Sequence, residues 1–263
     1  MRRIIEDGEM NTIAESNMNE IFGYFDNFLK QIDYEGYFGI AKFSNVYSEL
    51  MPIQKEKLNQ LLNSQINEFN QTGSIISIGI CYKPEIIEFI NLKNSDGIMD
   101  KNKWNIYAQE YENINNLLIK VGKKIAENYN GIFIQPITGI PDEQIKNVRD
   151  YYPHTISHRI VAEHAGIGWR GKNELIITEK HGPALRFASI LINIPLIQNQ
   201  KQISKCGNCT ACLDVCSILK NKEKLSDYRN SCRKYILSLG LETDVCGKCI
   251  KVCLRKRQKI QSN

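Results

Sequence analysis

Eight of the nine cysteines in this 263-residue sequence lie between positions 206 and 253, and their spacing is the strongest chemical signal in the chain. They form two groups of four, which are Cys206, Cys209, Cys212 and Cys216, followed by Cys232, Cys246, Cys249 and Cys253. Cysteine thiolates at such close spacing are typical metal ligands, and eight of them are enough for two [4Fe-4S] clusters.

The spacing favours iron-sulfur clusters over zinc. Structural zinc usually takes its ligands as two pairs separated by a longer spacer. Three cysteines at intervals of three with a fourth four positions later wrap one cubane instead, and in two-cluster bacterial ferredoxins that fourth cysteine reaches the other cluster. This logic assigns Cys206, Cys209, Cys212 and Cys253 to a first cluster and Cys216, Cys232, Cys246 and Cys249 to a second. Ser217 and Leu254 stand where proline often follows, which leaves the ligand count unchanged.

The net charge of +5 divides into two parts of opposite sign. Residues 1–199 carry 20 Lys and Arg against 24 Asp and Glu, giving −4, and residues 200–263 carry 14 against 5, giving +9. Two interpretations are open for the basic, cysteine-bearing part. Its cations could offset the negative charge of thiolate-ligated clusters, or they could form a docking face for RNA or an acidic redox partner.

Length and composition indicate an ordinary globular protein with a core of normal size. No apolar run approaches the length of a membrane span, and the N-terminus is not followed by an apolar signal core, so we expect a cytoplasmic protein with no membrane association. A secreted disulfide scaffold would spread its cysteines along the chain, whereas here only Cys81 lies outside the last quarter.

Hydrophobic patterning predicts an α/β first part. Residues 1–70 are expected to be helical, and the β-branched run at 74–81, which ends at Cys81, predicts a buried strand. A helix is predicted from Tyr107 through 125, and strands over residues 132–137, 174–178 and 185–194. The order strand, helix, strand indicates a βαβ unit.

The segment between these strands contains a glycine loop. Gly166, Gly168 and Gly171 satisfy a dinucleotide-binding fingerprint, but that motif requires a strand before it and a helix after it, and the order here is reversed. The segment from Gly166 to Lys172 also matches the spacing of a phosphate-binding loop, but Asn173 stands where that motif requires Ser or Thr. A helix with Pro153 in its first turn and Gly166 at its end is predicted before the loop.

Two histidines, His154 and His158, are spaced four apart on that predicted helix. Without an accompanying zinc-protease motif, a capping or core role is the main interpretation, and a polar contact to a bound cofactor is the alternative.

The glycine-loop segment and the cysteines together resemble the epoxyqueuosine reductase family of cobalamin and double-cluster proteins. The resemblance rests on residues 157–173, the following apolar strand, and the 16-residue step from Cys216 to Cys232. It is closest to short members without a C-terminal helical-repeat extension. It implies a corrinoid-binding α/β domain related to reductive dehalogenases over residues 1–198, followed by a ferredoxin-like domain with two [4Fe-4S] clusters over residues 199–263.

The resemblance also implies site residues. The family's proton-donating aspartate corresponds to Tyr152 in this chain, and Asp150 lies two positions upstream. By family position, the backbone near Ile176, Phe187 and Ile190 is expected to line the corrin, together with the end of the first strand near Cys81. Arg170 and Lys172, beside the glycine loop, are the candidates for polar contacts to cofactor side chains or phosphate.

The function expected from these features is that of an iron-sulfur oxidoreductase. Clusters would pass single electrons to cobalamin for a reductive reaction, with epoxyqueuosine in tRNA as the candidate substrate and a flavodoxin or ferredoxin as the electron donor. The alternative is a ferredoxin-type carrier that delivers electrons to a separate corrinoid protein or metalloenzyme and catalyses nothing itself. A third, weaker alternative is an RNA-binding module in which the clusters are structural.

Overall fold

A computed structural model describes residues 2–91, 100–136 and 145–261 of the chain, with side chains within 11–91, 100–136 and 145–258. The strands are β1 (Gly36–Lys42), β2 (Ser74–Cys81), β3 (Ile132–Ile134), β4 (Trp169–Arg170), β5 (Ile176–Ile177) and β6 (Leu185–Ile192). The helices are α1 (Arg2–Ile32), α2 (Phe43–Glu49), α3 (Pro52–Leu62), α4 (Ile66–Thr72), α5 (Pro84–Glu88), α6 (Lys101–Asn128), α7 (His158–His164), α8 (Ala211–Asp214), α9 (Ser217–Lys220), α10 (Tyr228–Ser238) and α11 (Lys248–Gln261). Short 3-10 helices lie at Asn63–Gln65, Val148–His154 and Lys222–Lys224.

A four-stranded sheet in the order β1-β2-β6-β3 forms the centre of the fold, and each neighbouring pair is antiparallel. Because β2 and β3 both run antiparallel to β6, they run parallel to each other with β6 between them. The predicted βαβ unit is therefore present in its split form, in which α6 connects two parallel strands that do not pair. Strands β4 and β5 form a separate two-stranded sheet.

Side chains alternate along the strands between two apolar layers. Ile76, Ile78 and Ile80 of β2 contribute to the layer that holds α1 and α6. Ile75 and Cys81 contribute to the opposite layer, which holds α2, α3, α4 and α7. Every residue of β2 is buried, which explains its continuous apolar sequence.

The structure corrects several predicted boundaries. The prediction of helices alone up to residue 70 is wrong, because β1 pairs with β2 along its full length. Helix α6 begins at Lys101, where the Asp100 side chain accepts a hydrogen bond from the Lys103 amide, and not at Tyr107. Of the strand predicted over 132–137, residues 132–134 are confirmed, and position 137 lies outside the described residues. The strand predicted over 174–178 is reduced to Ile176–Ile177.

The helix before the glycine loop also differs from the prediction. Pro153 lies inside the 3-10 helix Val148–His154, and α7 begins only at His158 because Thr155 is extended. The predicted end is confirmed, since Gly166 has a φ of +65°, a conformation that favours glycine. Gly39 of β1 allows α7 to approach, because a Cβ at this position would lie 2.2 Å from the Ala165 carbonyl oxygen.

The cysteine-bearing part packs against the sheet domain. Leu239, Val245 and Leu254 belong to the same apolar layer as α1 and α6. The domain boundary at residue 199 therefore stays a prediction from sequence. None of the described helices combines the length and apolarity that crossing a bilayer would require.

Candidate iron-sulfur centre and active site

The first group of cysteines is assembled from one loop and one helix. Cys206 and Cys209 lie in a turn closed by the Cys209 amide, which donates to the Cys206 carbonyl over 3.0 Å, and Cys212 follows on α8. Helix α8 packs against α11, which carries Cys253. Burial, and then the nearby thiolates of Cys212, Cys206 and Cys209, raise the pKa of Cys253 to about 12. The fold thus brings these four thiols together.

The second group comes from three elements. Cys216 precedes α9, Cys232 lies on α10, and Cys246 and Cys249 lie at the start of α11. Burial, followed by the charges of Cys246 and Cys216, raises the pKa of Cys232 to about 12. Burial and the thiolates of Cys246, Cys232 and Cys216 likewise raise the pKa of Cys249.

The two groups are neighbours. Cys212 of the first group contributes to raising the pKa of Cys249 in the second. Thiols with raised pKa values hold their protons until a cation replaces them, which is the behaviour expected of ligands that bind metal with proton release. The eight thiols thus influence one another's pKa in two neighbouring sets of four. In the part of the chain that the structure describes, no three His, Cys, Asp or Glu side chains are grouped closely enough to hold one metal ion.

Several contacts hold the cysteine segments in place. The Trp104 indole donates to the Cys246 carbonyl over 2.9 Å. Lys251 of α11 is buried and donates to the carbonyls of Glu88 and Ile90, the latter over 2.8 Å, so that it satisfies the C-terminal end of α5. Gly247 has a φ of +74°, and a Cβ there would lie 2.5 Å from the Ile90 side chain. Sequence analysis missed these supporting residues, because nothing in their spacing relates them to the cysteines.

The glycine loop contacts the first cysteine group directly. Lys172 donates from Nζ to the carbonyl oxygens of Gly207 over 2.7 Å and Cys209 over 3.0 Å. Arg170 is paired with Glu163 of α7. Both cations predicted to contact a cofactor therefore have partners within the protein.

The side chains of the four residues near which a corrinoid is expected lie in two different apolar layers. Cys81, Ile176 and Phe187 are buried in the layer that contains α7, whereas Ile190 lies fully buried in the opposite layer beside α6. Burial, followed by the charge of Glu35, raises the pKa of the Cys81 thiol, which suits an unreactive core cysteine. Because the resemblance assigns the corrinoid contacts of these strands to the backbone, the burial of the side chains leaves those contacts a prediction.

The candidate acids occupy different settings. Asp150 caps the 3-10 helix that contains it, accepting from the Lys146 amide over 2.7 Å and the Asn147 amide over 2.8 Å. These hydrogen bonds lower the pKa of the Asp150 carboxyl, and the bond from the Asn147 amide has the larger effect. Tyr152 accepts a hydrogen bond from Arg229 Nη1 over 3.3 Å. Asp150 is thus held as a carboxylate, and Tyr152 stands next to a cation.

The two histidines are separated by the break before α7. His154 is exposed, whereas His158 lies between β3 and β6, with Nε2 3.0 Å from the Gln135 carbonyl oxygen and Nδ1 2.8 Å from Ser189 Oγ. Burial lowers the pKa of His158 to about 4, and the bond to Gln135 offsets only part of this. Because a carbonyl can only accept, Nε2 carries the proton and Nδ1 accepts from Ser189. This arrangement matches the main interpretation, a core histidine.

Comparison with known proteins finds sequence similarity to epoxyqueuosine reductases. The chain is 39% identical to an epoxyqueuosine reductase of Bacillus anthracis over 80 residues, covering 30% of this chain and 20% of that protein. It is 29% identical to the Listeria monocytogenes epoxyqueuosine reductase over 150 residues, covering 56% of this chain and 36% of that protein. The chain thus matches between a fifth and about a third of the length of these relatives. No family model matches it.

A solved structure supports the fold. A catabolic reductive dehalogenase aligns with a TM-score of 0.51 and 13% identity, covering 72% of this chain and 27% of that one. The predicted relation of the α/β part to the reductive dehalogenase fold is confirmed at the level of the fold. In sequence, parts of the chain are similar to epoxyqueuosine reductases, and the chain spans well under half the length of these relatives.

Proposed function

We propose that this protein is an iron-sulfur oxidoreductase with two [4Fe-4S] clusters, which delivers single electrons to a reductive reaction of the epoxyqueuosine reductase type. The observation that carries the proposal is the assembly of eight thiols into two adjacent sets. Cys206, Cys209, Cys212 and Cys253 would hold the first cluster, and Cys216, Cys232, Cys246 and Cys249 the second. Electrons from a flavodoxin or ferredoxin would enter through one cluster and leave through the other.

The substrate proposed from the family is epoxyqueuosine in tRNA, reduced to queuosine. Removal of an epoxide oxygen requires two electrons and two protons, so the clusters need an acid beside the substrate. Tyr152 is the better placed of the two candidates, because Asp150 is held as a carboxylate by its capping bonds. The guanidinium of Arg229 would stabilise the phenolate that remains after Tyr152 gives up its proton.

One observation favours the alternative of a non-catalytic electron carrier. The position that carries the family's acid is a tyrosine, and the nearby carboxylate is used to cap a helix. A carrier would need the clusters and an exposed approach to them, but no acid. Cys206, Cys209 and Cys216 are partly exposed, as such an approach requires.

Anaerobic reconstitution with iron, sulfide and cobalamin tests the cofactors. The family resemblance implies cobalamin as the electron acceptor, and the reconstitution therefore includes it. We expect about eight irons per chain and the EPR signal of reduced [4Fe-4S] clusters. About four irons, or zinc in their place, would contradict the ligand scheme. Eight irons with no retained corrinoid would favour the carrier.

A turnover assay separates the enzyme from the carrier. Cluster-loaded protein with a reducing system and epoxyqueuosine-containing tRNA is expected to form queuosine, detected by nucleoside mass spectrometry. Tyr152→Phe should lower the rate by about a hundredfold if Tyr152 is the acid, whereas Asp150→Asn should have a much smaller effect. Absence of turnover by fully loaded wild-type protein would remove this substrate.

A further inference from the structure

The two cysteine groups each contain a turn of the same pattern, Cys-Gly-x-Cys, at residues 206–209 and 246–249. In both turns the glycine has a positive φ, +46° at Gly207 and +74° at Gly247, a conformation that favours glycine. Their surroundings differ. A Cβ added to Gly207 would meet no atom within 4 Å, whereas a Cβ added to Gly247 would lie 2.5 Å from the Ile90 side chain. Of these two turns, the first is therefore open to the surface and the second is closed by the sheet domain.

The residues between the ligands show the same difference. Asn208 and Thr210 are exposed, whereas Lys248, in the second turn, is only 5% exposed. Trp104 of α6 also covers the second turn, because its indole donates to the Cys246 carbonyl over 2.9 Å. Electron transfer between two proteins requires a close approach of their redox centres. A donor protein can make that approach at the first turn and not at the second.

The second set of thiols is connected to the proposed acid instead. Helix α10 carries Cys232 and, three positions earlier and so on the same face, Arg229. Arg229 donates to the Tyr152 hydroxyl over 3.3 Å, and Arg233 of the same helix donates from Nη2 to the Ile145 carbonyl over 3.0 Å. The second set is thus on the side of the segment that contains the proposed acid.

Basic side chains surround the first turn. Lys172 donates to two carbonyls of this turn, so its positive charge lies at the turn with neutral partners. Lys205, directly before the first ligand, and Arg257 share one carboxylate, that of Glu179. The Asp214 carboxylate accepts from a threonine hydroxyl of the loop over 2.8 Å. These three cations face two carboxylates, and residues 200–263 together have a net charge of +9. The field at the first turn therefore attracts an acidic partner.

An apolar side chain lies next to the same turn. Ile203, three residues before Cys206, is 86% exposed, against 53% for Ile13, the next large apolar side chain in the described ranges. A single exposed isoleucine is ordinary on a protein surface. Beside an open cysteine turn with cations around it, however, it completes the composition of a small interface, which has an apolar contact and a polar rim.

We propose that residues 203–210, the entry loop, are the docking face for an acidic one-electron carrier of the flavodoxin type, and that electrons enter through the first cluster and leave through the second. The inference rests on the proposed function, because it requires both clusters. In each transfer the anionic flavin hydroquinone of the carrier loses one electron and becomes the neutral semiquinone, and one cluster gains that electron. Electrostatic attraction speeds such encounters, whose interfaces are small.

Stopped-flow absorbance tests the entry loop with cluster-loaded full-length protein and chemically reduced flavodoxin as the probe. Ile203→Ser removes the apolar contact. Lys205→Gln removes one charge and leaves the carboxylate that it shares with Arg257 paired. Asn208→Glu adds a negative charge to the open turn. Lys120→Gln, the loss of one exposed lysine on α6, is the matched control.

At low salt, Asn208→Glu should lower the second-order rate constant of reduction by roughly tenfold and Lys205→Gln by about threefold, because each weakens electrostatic steering. Both differences should shrink at high salt, since screening removes the steering. Ile203→Ser should slow reduction several-fold at every salt concentration, and the control should keep the wild-type rate. Dithionite, a small reductant that needs no docking, should reduce all variants to the same extent. Wild-type rates with flavodoxin in all three entry-loop variants would overturn the proposal.

Two cysteine variants test the direction of electron flow. Cys253→Ser, which lacks a ligand of the first set, should retain a second cluster that dithionite reduces but that flavodoxin reduces much more slowly than wild type. Cys232→Ser should retain the first cluster, and flavodoxin should reduce it far faster than it reduces the cluster of Cys253→Ser. EPR identifies the cluster that remains in each variant. The opposite order of rates would place electron entry at the second cluster and overturn the proposal.

An RNA is the competing occupant of a basic face, and fluorescence anisotropy with a labelled RNA hairpin tests it with the same variants. Weakened hairpin binding together with unchanged reduction by flavodoxin would assign the entry loop to RNA and reject the carrier.

Failure of the proposed function gives a different result from failure of the entry loop. Wild-type protein that holds fewer than about eight irons, or whose clusters dithionite does not reduce, would reject the two-cluster scheme and the entry loop with it. Clusters that dithionite reduces but flavodoxin does not would reject the entry loop alone.

Discussion

Lys172 of the glycine loop donates hydrogen bonds to the carbonyls of Gly207 and Cys209 and so fixes the glycine loop to the first cysteine loop. The distances are 2.7 Å and 3.0 Å. Because Cys206 and Cys209 flank these carbonyls, the position of Lys172 determines the shape of the loop that would wrap the first cluster.

Lys172→Met should therefore loosen the first cluster selectively. Loss of the charged hydrogen bonds to these two carbonyls is expected to speed cluster loss in the presence of an iron chelator by roughly tenfold. The iron content should then settle near four per chain, since the second set of thiols is untouched. Lys124→Met, which removes an exposed lysine of α6, is the control. Equal rates of cluster loss in the two variants would contradict a role of Lys172 in holding the first cysteine loop.

Cys253→Ser and Cys81→Ala test the assignment of cysteines. Cys253 belongs to the first set of thiols, whereas Cys81 is buried in the sheet layer apart from both sets. We expect Cys253→Ser to fall from about eight irons to about four, with one EPR signal lost, and Cys81→Ala to keep about eight. Iron loss from both clusters in Cys253→Ser would show that the sets do not fill independently.

The two tryptophans offer a matched comparison, because both are almost fully buried but only one uses its N–H. Trp104 donates to the Cys246 carbonyl, whereas the Trp169 indole N–H has no partner among the described residues. Trp104→Phe leaves the Cys246 carbonyl without this donor and should lower the free energy of unfolding by about 1 to 3 kcal/mol. Trp169→Phe should cost less, because it removes an unpaired donor. The free energies of unfolding are compared in urea. Equal decreases in the two variants would indicate that the lost ring volume, and not the hydrogen bond, sets the effect.

His158 makes stability depend on pH. Burial lowers its folded-state pKa to about 4, below the value of about 6.5 in an unfolded chain. The unfolded state therefore binds more protons between these values, so the contribution of neutral His158 is complete above pH 6.5 and is lost as the pH falls toward 4. The slope approaches about 1.4 kcal/mol per pH unit in that window.

His158→Gln should flatten this slope in urea unfolding between pH 7.5 and pH 5. His154→Gln, which removes the exposed imidazole, is the matched control for the loss of a histidine. A wild-type slope in His158→Gln would show that the proton uptake occurs elsewhere.

Much of the chemistry was determined by the sequence alone. The cysteine spacing predicts two sets of four metal ligands, because a loop of closely spaced ligands imposes its own local geometry, and the assignment of these sets to two clusters stays a prediction. The buried strand β2 and the end of α7 at Gly166 were likewise predicted, since a continuous apolar run and a left-handed glycine are local signals.

Only the tertiary structure decided the features that depend on contacts between distant residues. Strand β1 was not predicted, because its pairing with β2 is a long-range property and its partly exposed residues lack a clear pattern. The separation of Ile190 from Phe187 follows from side-chain alternation along β6 within a sheet whose two faces are both buried. The hydrogen bonds from Lys172 to the carbonyls of Gly207 and Cys209 join residues 35 and 37 positions apart. Spacing along the chain does not predict such contacts, because the packing of the glycine loop against the cysteine loop creates them.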